Sequence, residues 1–367
     1  MKAHKLSVFN IAFLFVGAIM GAGFASGREI WQFFGVFGSK SYGGIAIVSF
    51  LFIFFGMMSI KVSQKLGSTD IVKMILPFEN PVLERILGWI IVGFLFLIYT
   101  TTSAAGGALF QEQLGLHKAV GGIFLMLVMV ATVLGGFQRI SKYFKWIVPT
   151  LLVVVFGICM YIVFADIPPS NMETLAESSP MAPTWYFSAI IYISYNMLGG
   201  IVILGSSAHQ GVGKNTALKG AVLGGVLLGI FVLIMNCALF KDTGLASNSV
   251  LPILAFSDKI NSMVRVVYAL LLLAAIYVTA TSNFYGLTTR VKPGKKKPYI
   301  IIATAFVGFL MGLMGFVKMV AWVLPLEGYF GLAFLVLMTI NFIKLQFQKC
   351  KVEEDLSDGG SQDEPII

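Results

Sequence analysis

Apolar residues in this 367-residue chain come in long runs, not in the short alternations of soluble strands and helices. About 20 apolar residues suffice to cross the hydrocarbon of a bilayer. Ten runs approach or exceed that length: Val8–Phe37, Gly43–Lys61, Leu87–Phe110, Ala119–Gly136, Tyr143–Ala165, Thr184–Ser206, Thr216–Phe240, Met263–Leu287, Tyr299–Phe316 and Met319–Ile343. The pattern predicts an all-α membrane protein of ten transmembrane helices embedded in a lipid bilayer. Composition agrees: 57% of residues are hydrophobic and 12% charged, where a soluble domain carries roughly a quarter charged.

The charges fix the expected orientation. Of the 26 Lys and Arg residues, 19 fall in alternate loops and the two tails, 6 fall on the opposite side, and Arg28 lies inside a run. Basic residues concentrate on the cytoplasmic side, so both termini are expected in the cytoplasm of a bacterial cell membrane. The net charge of +9 reflects this asymmetry, and its densest cluster, "RVKPGKKKP" from Arg290, reads as a loop anchored at lipid headgroups, not a nucleic-acid site. Cys159, Cys237 and Cys350 and the three histidines are scattered, so no metal cluster is expected on them. The acidic stretch from Val352 to Ile367 predicts a disordered cytoplasmic tail. Oligomeric state is not legible.

The first run stops behaving like a helix halfway along. In "GAIMGAGFASGREIWQFF", Gly17–Phe34, three further glycines precede the Arg28-Glu29 pair. The opening residues imitate a signal peptide, but removing them would leave nine runs and spoil the charge alternation. A phosphate loop is excluded, because no Lys-Ser/Thr and no preceding strand accompany the glycines. A broken transmembrane helix remains. Irregular backbone survives at membrane depth only where it lines a cavity, and glycine makes unwinding cheap. A break near Gly21-Ala22-Gly23 frees N–H groups for an anion on one side and carbonyls for a cation on the other. The sixth run is interrupted at a matching depth by Tyr195 to Gly200, "YNMLGG". Paired interruptions at the start of two sets of five helices point to an inverted repeat, with residues 6–165 and 184–345 as the halves.

At these residues the chain resembles the amino acid–polyamine–organocation superfamily, whose LeuT-like 5+5 fold has broken first and sixth helices. Within it the chain is similar to the YkvI-like permease group. The resemblance implies secondary active transport of an amino acid or similar small zwitterionic solute by alternating access. It implies a substrate carboxylate on the backbone of Gly21, Ala22 and Gly23, and an amine and body near Tyr192, Tyr195 and Asn196. It implies Na⁺ as coupling ion, held by Thr281 and Ser282 of "AIYVTATSNFYGL" with carbonyls of Val278, Gly17 and Met20. It also implies an outer gate between Arg28 and Glu327.

Several alternatives stay open. Tyr192 and Tyr195 could be packing residues, and Glu29 could neutralise Arg28 locally. Glu327 could instead carry a proton, since charges inside membranes are expensive and functional. Tyr99, Thr102 and Ser103 could line the cavity or pack helices. A sensor of the same fold, like germinant-receptor subunits, would use the pocket without moving the solute. An enzyme is not expected, because the runs hold no nucleophile–base pair.

Overall fold

The computed structural model describes residues 5–165, 168–175, 177–213, 215–291 and 294–358, with side chains outside 136–146, 148 and 348–358. Seven helices are long and apolar enough to cross a membrane: Gly35–Leu66, Pro81–Leu114, Lys118–Gly135, Trp185–Ser207, Thr216–Asn248, Ser262–Thr288 and Phe316–Phe347. Three shorter apolar helices are Val8–Ile19, Pro149–Phe164 and Lys297–Gly312. Each lies on one of the ten runs. Large apolar side chains such as Phe9, Trp89, Val153, Phe164 and Tyr299 are more than half exposed along them, as a hydrocarbon solvent permits.

In chain order the helices are α1 (Val8–Ile19), α2 (Ala22–Ser26), α3 (Arg28–Phe33), α4 (Ser41–Leu66), α5 (Ile71–Ile75), α6 (Pro81–Leu114), α7 (Lys118–Phe164) and α8 (Trp185–Ser207). They continue with α9 (Thr216–Leu239), α10 (Thr243–Asn248), α11 (Pro252–Ile260), α12 (Ser262–Thr288), α13 (Lys297–Gly312), α14 (Phe316–Lys318) and α15 (Leu324–Asp358). Local chemistry marks their ends. Asn80 accepts from the N–H groups of Val82 and Leu83 with Pro81 in the first turn, and Gly67 and Gly115 close α4 and α6 in the left-handed conformation.

Small residues set how closely the helices pack. Gly220 and Gly224 of α9 lie against Ile11 and the Ala12 backbone of α1, while Gly225 and Gly229 lie against Ile53 and Ser49 of α4. In hydrocarbon, where apolar surface gains little from pairing, such close backbone approach is what holds helices together. The same device seats α15 on α8: Gly328 meets Ile191, and Gly331 meets the backbone of Ser194 and Tyr195.

Three expectations change. The sixth run is not broken: α8 is continuous from Trp185 to Ser207. Its glycines serve contact instead, since a β-carbon on Gly199 would come within 3.2 Å of the Ala18 carbonyl and one on Gly200 within 2.9 Å of the Phe15 ring. The fourth and fifth runs share one stretch of helical backbone, α7. At 47 residues it would extend roughly 70 Å if straight, more than twice the hydrocarbon thickness. Gly135, Gly136 and Pro149 flank its middle, and Pro149, inside the helix, removes one backbone hydrogen bond there. Its first part meets Gly106 and Phe309, and its second stacks Phe156 edge-on against Phe231 of α9. Finally, the backbone of 352–358 continues α15, where the tail was expected to begin, and 359–367 lie outside the described residues.

Candidate functional site

The break in the first run is present. Helix α1 ends at Ile19, Met20 and Gly21 leave helical geometry, and α2 restarts at Ala22. A second corner follows at Gly27, whose φ of 81° admits glycine readily, before α3 begins. Between them the interruptions leave the carbonyls at the end of α1 and the first N–H groups of α2 without helical partners. The Tyr268 hydroxyl donates to the Ala25 carbonyl at 2.6 Å, fixing the short helix to α12.

These corners open onto a cavity of about 150 Å³, lined by Gly21, Ala22 and Gly23 at the break and by Glu29 of α3. Thr101 and Thr102 of α6, Tyr195 and Asn196 of α8, Thr279 and Asn283 of α12, and Glu327 of α15 complete its polar wall. No basic side chain lines it among the described residues. Glu29 accepts from the Tyr195 hydroxyl at 2.8 Å, and its carboxylate rests against Gly23, where any β-carbon would collide with it. Glu327 is 1% exposed, and its Oε1 has no hydrogen-bond partner. A π-helical turn, Met319–Val323, precedes it; such turns rotate the following residues relative to a regular helix and recur at functional sites. The Thr101 hydroxyl is buried and likewise unpartnered, whereas Thr102 donates to the Ile98 carbonyl of its own helix.

Six expected site residues therefore meet in one cavity: Gly21, Ala22, Gly23, Tyr195, Asn196 and Glu327. Tyr192 does not join them. It is fully buried, its ring packed against Phe33 and Phe34 with Phe52 edge-on, and its hydroxyl has no hydrogen-bond partner. Arg28 is not paired with Glu327 as the gate requires. Its guanidinium donates to the carbonyls of Ser247 at 2.9 Å and Ser249 at 3.3 Å. Neighbours on a helix point about 100° apart, so a helix that turns Glu29 into the cavity turns Arg28 out of it.

The cation set is only partly assembled. Thr281 is fully buried with an unpartnered hydroxyl, but Ser282 is exposed, and neither lines the cavity. Thr279 and Asn283, one turn apart, take that face of α12 instead. Tyr99 and Ser103 also fall elsewhere: Tyr99 donates to the Ala305 carbonyl at 2.9 Å, and Ser103 faces Gly122 and Gly312. Sequence reasoning missed Glu29, Thr101, Thr279 and Asn283. Only Glu29 carried a usable signal, as a second charge inside a run.

Comparison with known proteins adds to this geometry. The sodium:alanine symporter family matches over residues 81–177. The chain is 26% identical over 350 residues to the membrane protein YkvI of Bacillus subtilis (strain 168), covering 91% of this chain and 96% of that one. It is 27% identical over 331 residues to YyaD of the same organism, covering 89% and 94%. The chain is YkvI-like over nearly its whole length. In fold it is similar to a manganese transporter of Eremococcus coleocola, in crystal structures of two of that protein's point mutants, with TM-scores of 0.52 and 0.51 at 15% and 14% identity. Each match covers 92% of this chain and 76% of the other. These similarities support a membrane transporter, not an enzyme.

Proposed function

We propose that the chain is a secondary transporter that carries a small amino-acid-like solute with Na⁺ by alternating access. The observation that carries this reading is the break at Met20-Gly21 opening onto a cavity whose polar groups come from six helices, α2, α3, α6, α8, α12 and α15. Helix packing supports a five-plus-five repeat, and the loop charge asymmetry supports a multi-pass cell-membrane protein with cytoplasmic termini. Counterpart helices of the two halves touch: α1 with α8, α4 with α9, α6 with α12 and α7 with α13. The cross contacts mirror one another too, α1 on α9 and α8 on α4.

In this reading the free N–H groups of Ala22 and Gly23 receive the solute's carboxylate, and Tyr195 and Asn196 flank its body. Na⁺ is co-transported cargo. The buried, unpartnered hydroxyl of Thr281 supports its place beside the carbonyls of Gly17, Met20 and Val278, because a buried hydroxyl without a partner costs about 1–3 kcal/mol and a hard cation seeks oxygen ligands. Glu327 favours a second reading, in which a proton replaces Na⁺.

Purified protein in proteoliposomes tests both. An inward Na⁺ gradient is expected to drive uptake of an L-amino acid, and K⁺ in its place is expected to abolish it. Thr281→Val is expected to raise the melting temperature without Na⁺, since the orphan hydroxyl is gone, and to erase the stabilisation that Na⁺ adds. Uptake driven by a proton gradient alone would favour Glu327 as carrier. Binding without uptake under either gradient would favour a sensor.

A further inference from the structure

We infer that Glu29 and Glu327 together form the cation end of the cavity and hold a protonated nitrogen of the cargo, so that an amine is the group the site requires. This rests on the transporter reading above and narrows its substrate class.

The two carboxylates enter from different helices, α3 and α15, and line the same small space. Both are more than nine-tenths buried. Like charges brought together in a poorly solvated site raise each other's cost, and a cation bound between them relieves it, as does a proton on one of them. No described lining residue is basic, and one terminal nitrogen of Arg28 is turned to the carbonyls of Ser247 and Ser249. One oxygen of Glu29 is satisfied by Tyr195, yet Oε1 of Glu327 has no donor.

What the remaining groups offer decides which cation fits. The Thr101 hydroxyl is unpartnered. Both lining asparagines give an amide N–H to their own helices, Asn196 to the Tyr192 carbonyl at 2.9 Å and Asn283 to the Thr279 carbonyl at 2.7 Å. Apart from the free N–H groups at the start of α2 and the second amide N–H of each asparagine, the polar wall is made of acceptors, the two carboxylates foremost. An ammonium group is the complement, with three donors and no acceptor. A divalent metal is a weaker match, since no cluster of three or more His, Cys, Asp or Glu side chains occurs among the described residues. The volume, about 150 Å³, equals about five water molecules, which suits a small amine or amino acid.

The test uses the full-length protein in detergent and a matched series: common L-amino acids, each beside its decarboxylated amine and its deaminated acid, together with MnCl2. Amine-bearing members are expected to raise the melting temperature, and deaminated acids are expected to have no effect. Glu29→Gln and Glu327→Gln, each checked for a monodisperse elution profile, are expected to weaken binding of the same ligand by about tenfold or more, the worth of one charge-assisted contact. A deaminated acid that stabilises as well as its parent would overturn the assignment, and so would stabilisation by MnCl2 alone that Glu327→Gln removes. Uptake of amino acids with affinities unchanged in both variants would sink the amine site and leave the transporter standing. If no member of the series binds or is taken up, the transport reading fails with it. The comparison within the ligand series needs no variant to fold.

Discussion

Gly23→Ala is expected to fold and yet lose ligand-dependent stabilisation almost entirely. The new methyl group would occupy the space held by the Glu29 carboxylate. The three nearest heavy atoms all belong to the flexible end of that one side chain, so the side chain can yield before the backbone and the helix bundle should survive. The carboxylate must swing aside, however, and its hydrogen bond from Tyr195 goes with it. A site organised around two converging acids then keeps one. Losing a hydrogen bond to a charged group costs about 1.5–3 kcal/mol, or roughly tenfold to a hundredfold in affinity. Melting temperatures with and without an amino acid would show it: a ligand-free value lowered only by the lost Tyr195 bond, and a ligand shift that all but disappears. Gly157→Ala is the matched control, because nothing lies within 4 Å of a β-carbon there. A Gly23→Ala protein that binds as the parent does would mean that Glu29 is free to leave Gly23 without consequence.

The second large effect concerns folding. Gly225→Val is expected to leave little monodisperse protein after extraction. A β-carbon at this position would stand 2.8 Å from the Ile53 backbone nitrogen and 3.0 Å from its α-carbon. Unlike Glu29, these atoms cannot rotate away, so α9 and α4 must separate along their length. Overpacking costs typically 1–3 kcal/mol, and here separation would also loosen α1, which leans on the adjacent face of α9 through Gly220 and Gly224. Size-exclusion profiles and melting temperatures of Gly225→Val beside Gly157→Ala would report it. A Gly225→Val protein as stable as its parent would contradict the closeness of this contact.

The contrast between these two glycines explains what could be read in advance. The apolar runs and the break at Gly21 were legible, because hydrophobic length and glycine placement act locally on each segment. The spacing of Gly220 from Gly224 and of Gly225 from Gly229 suits close packing, since residues four apart share a helix face. The break expected in α8 was not there. A glycine pair serves equally for unwinding and for letting a neighbour approach, and only Ala18 and Phe15 lying against Gly199 and Gly200 chose between them.

The site divides in the same way. A charged pair inside an apolar run, Arg28-Glu29, was visible as an anomaly, but not which member would face the cavity. That depended on the corner at Gly27, which sets the rotation of α3, and on Ser247 and Ser249 being at hand to receive the arginine. Thr281 and Ser282 matched a spacing, while the rotation of α12 gave the cavity to Thr279 and Asn283. By itself the sequence determined a membrane-spanning helical protein with an interrupted first segment, because burial in hydrocarbon and backbone continuity are properties of each stretch alone. The tertiary structure alone decided which acids converge and which hydroxyls stay unpartnered, because those depend on how helices distant in sequence are turned toward one another.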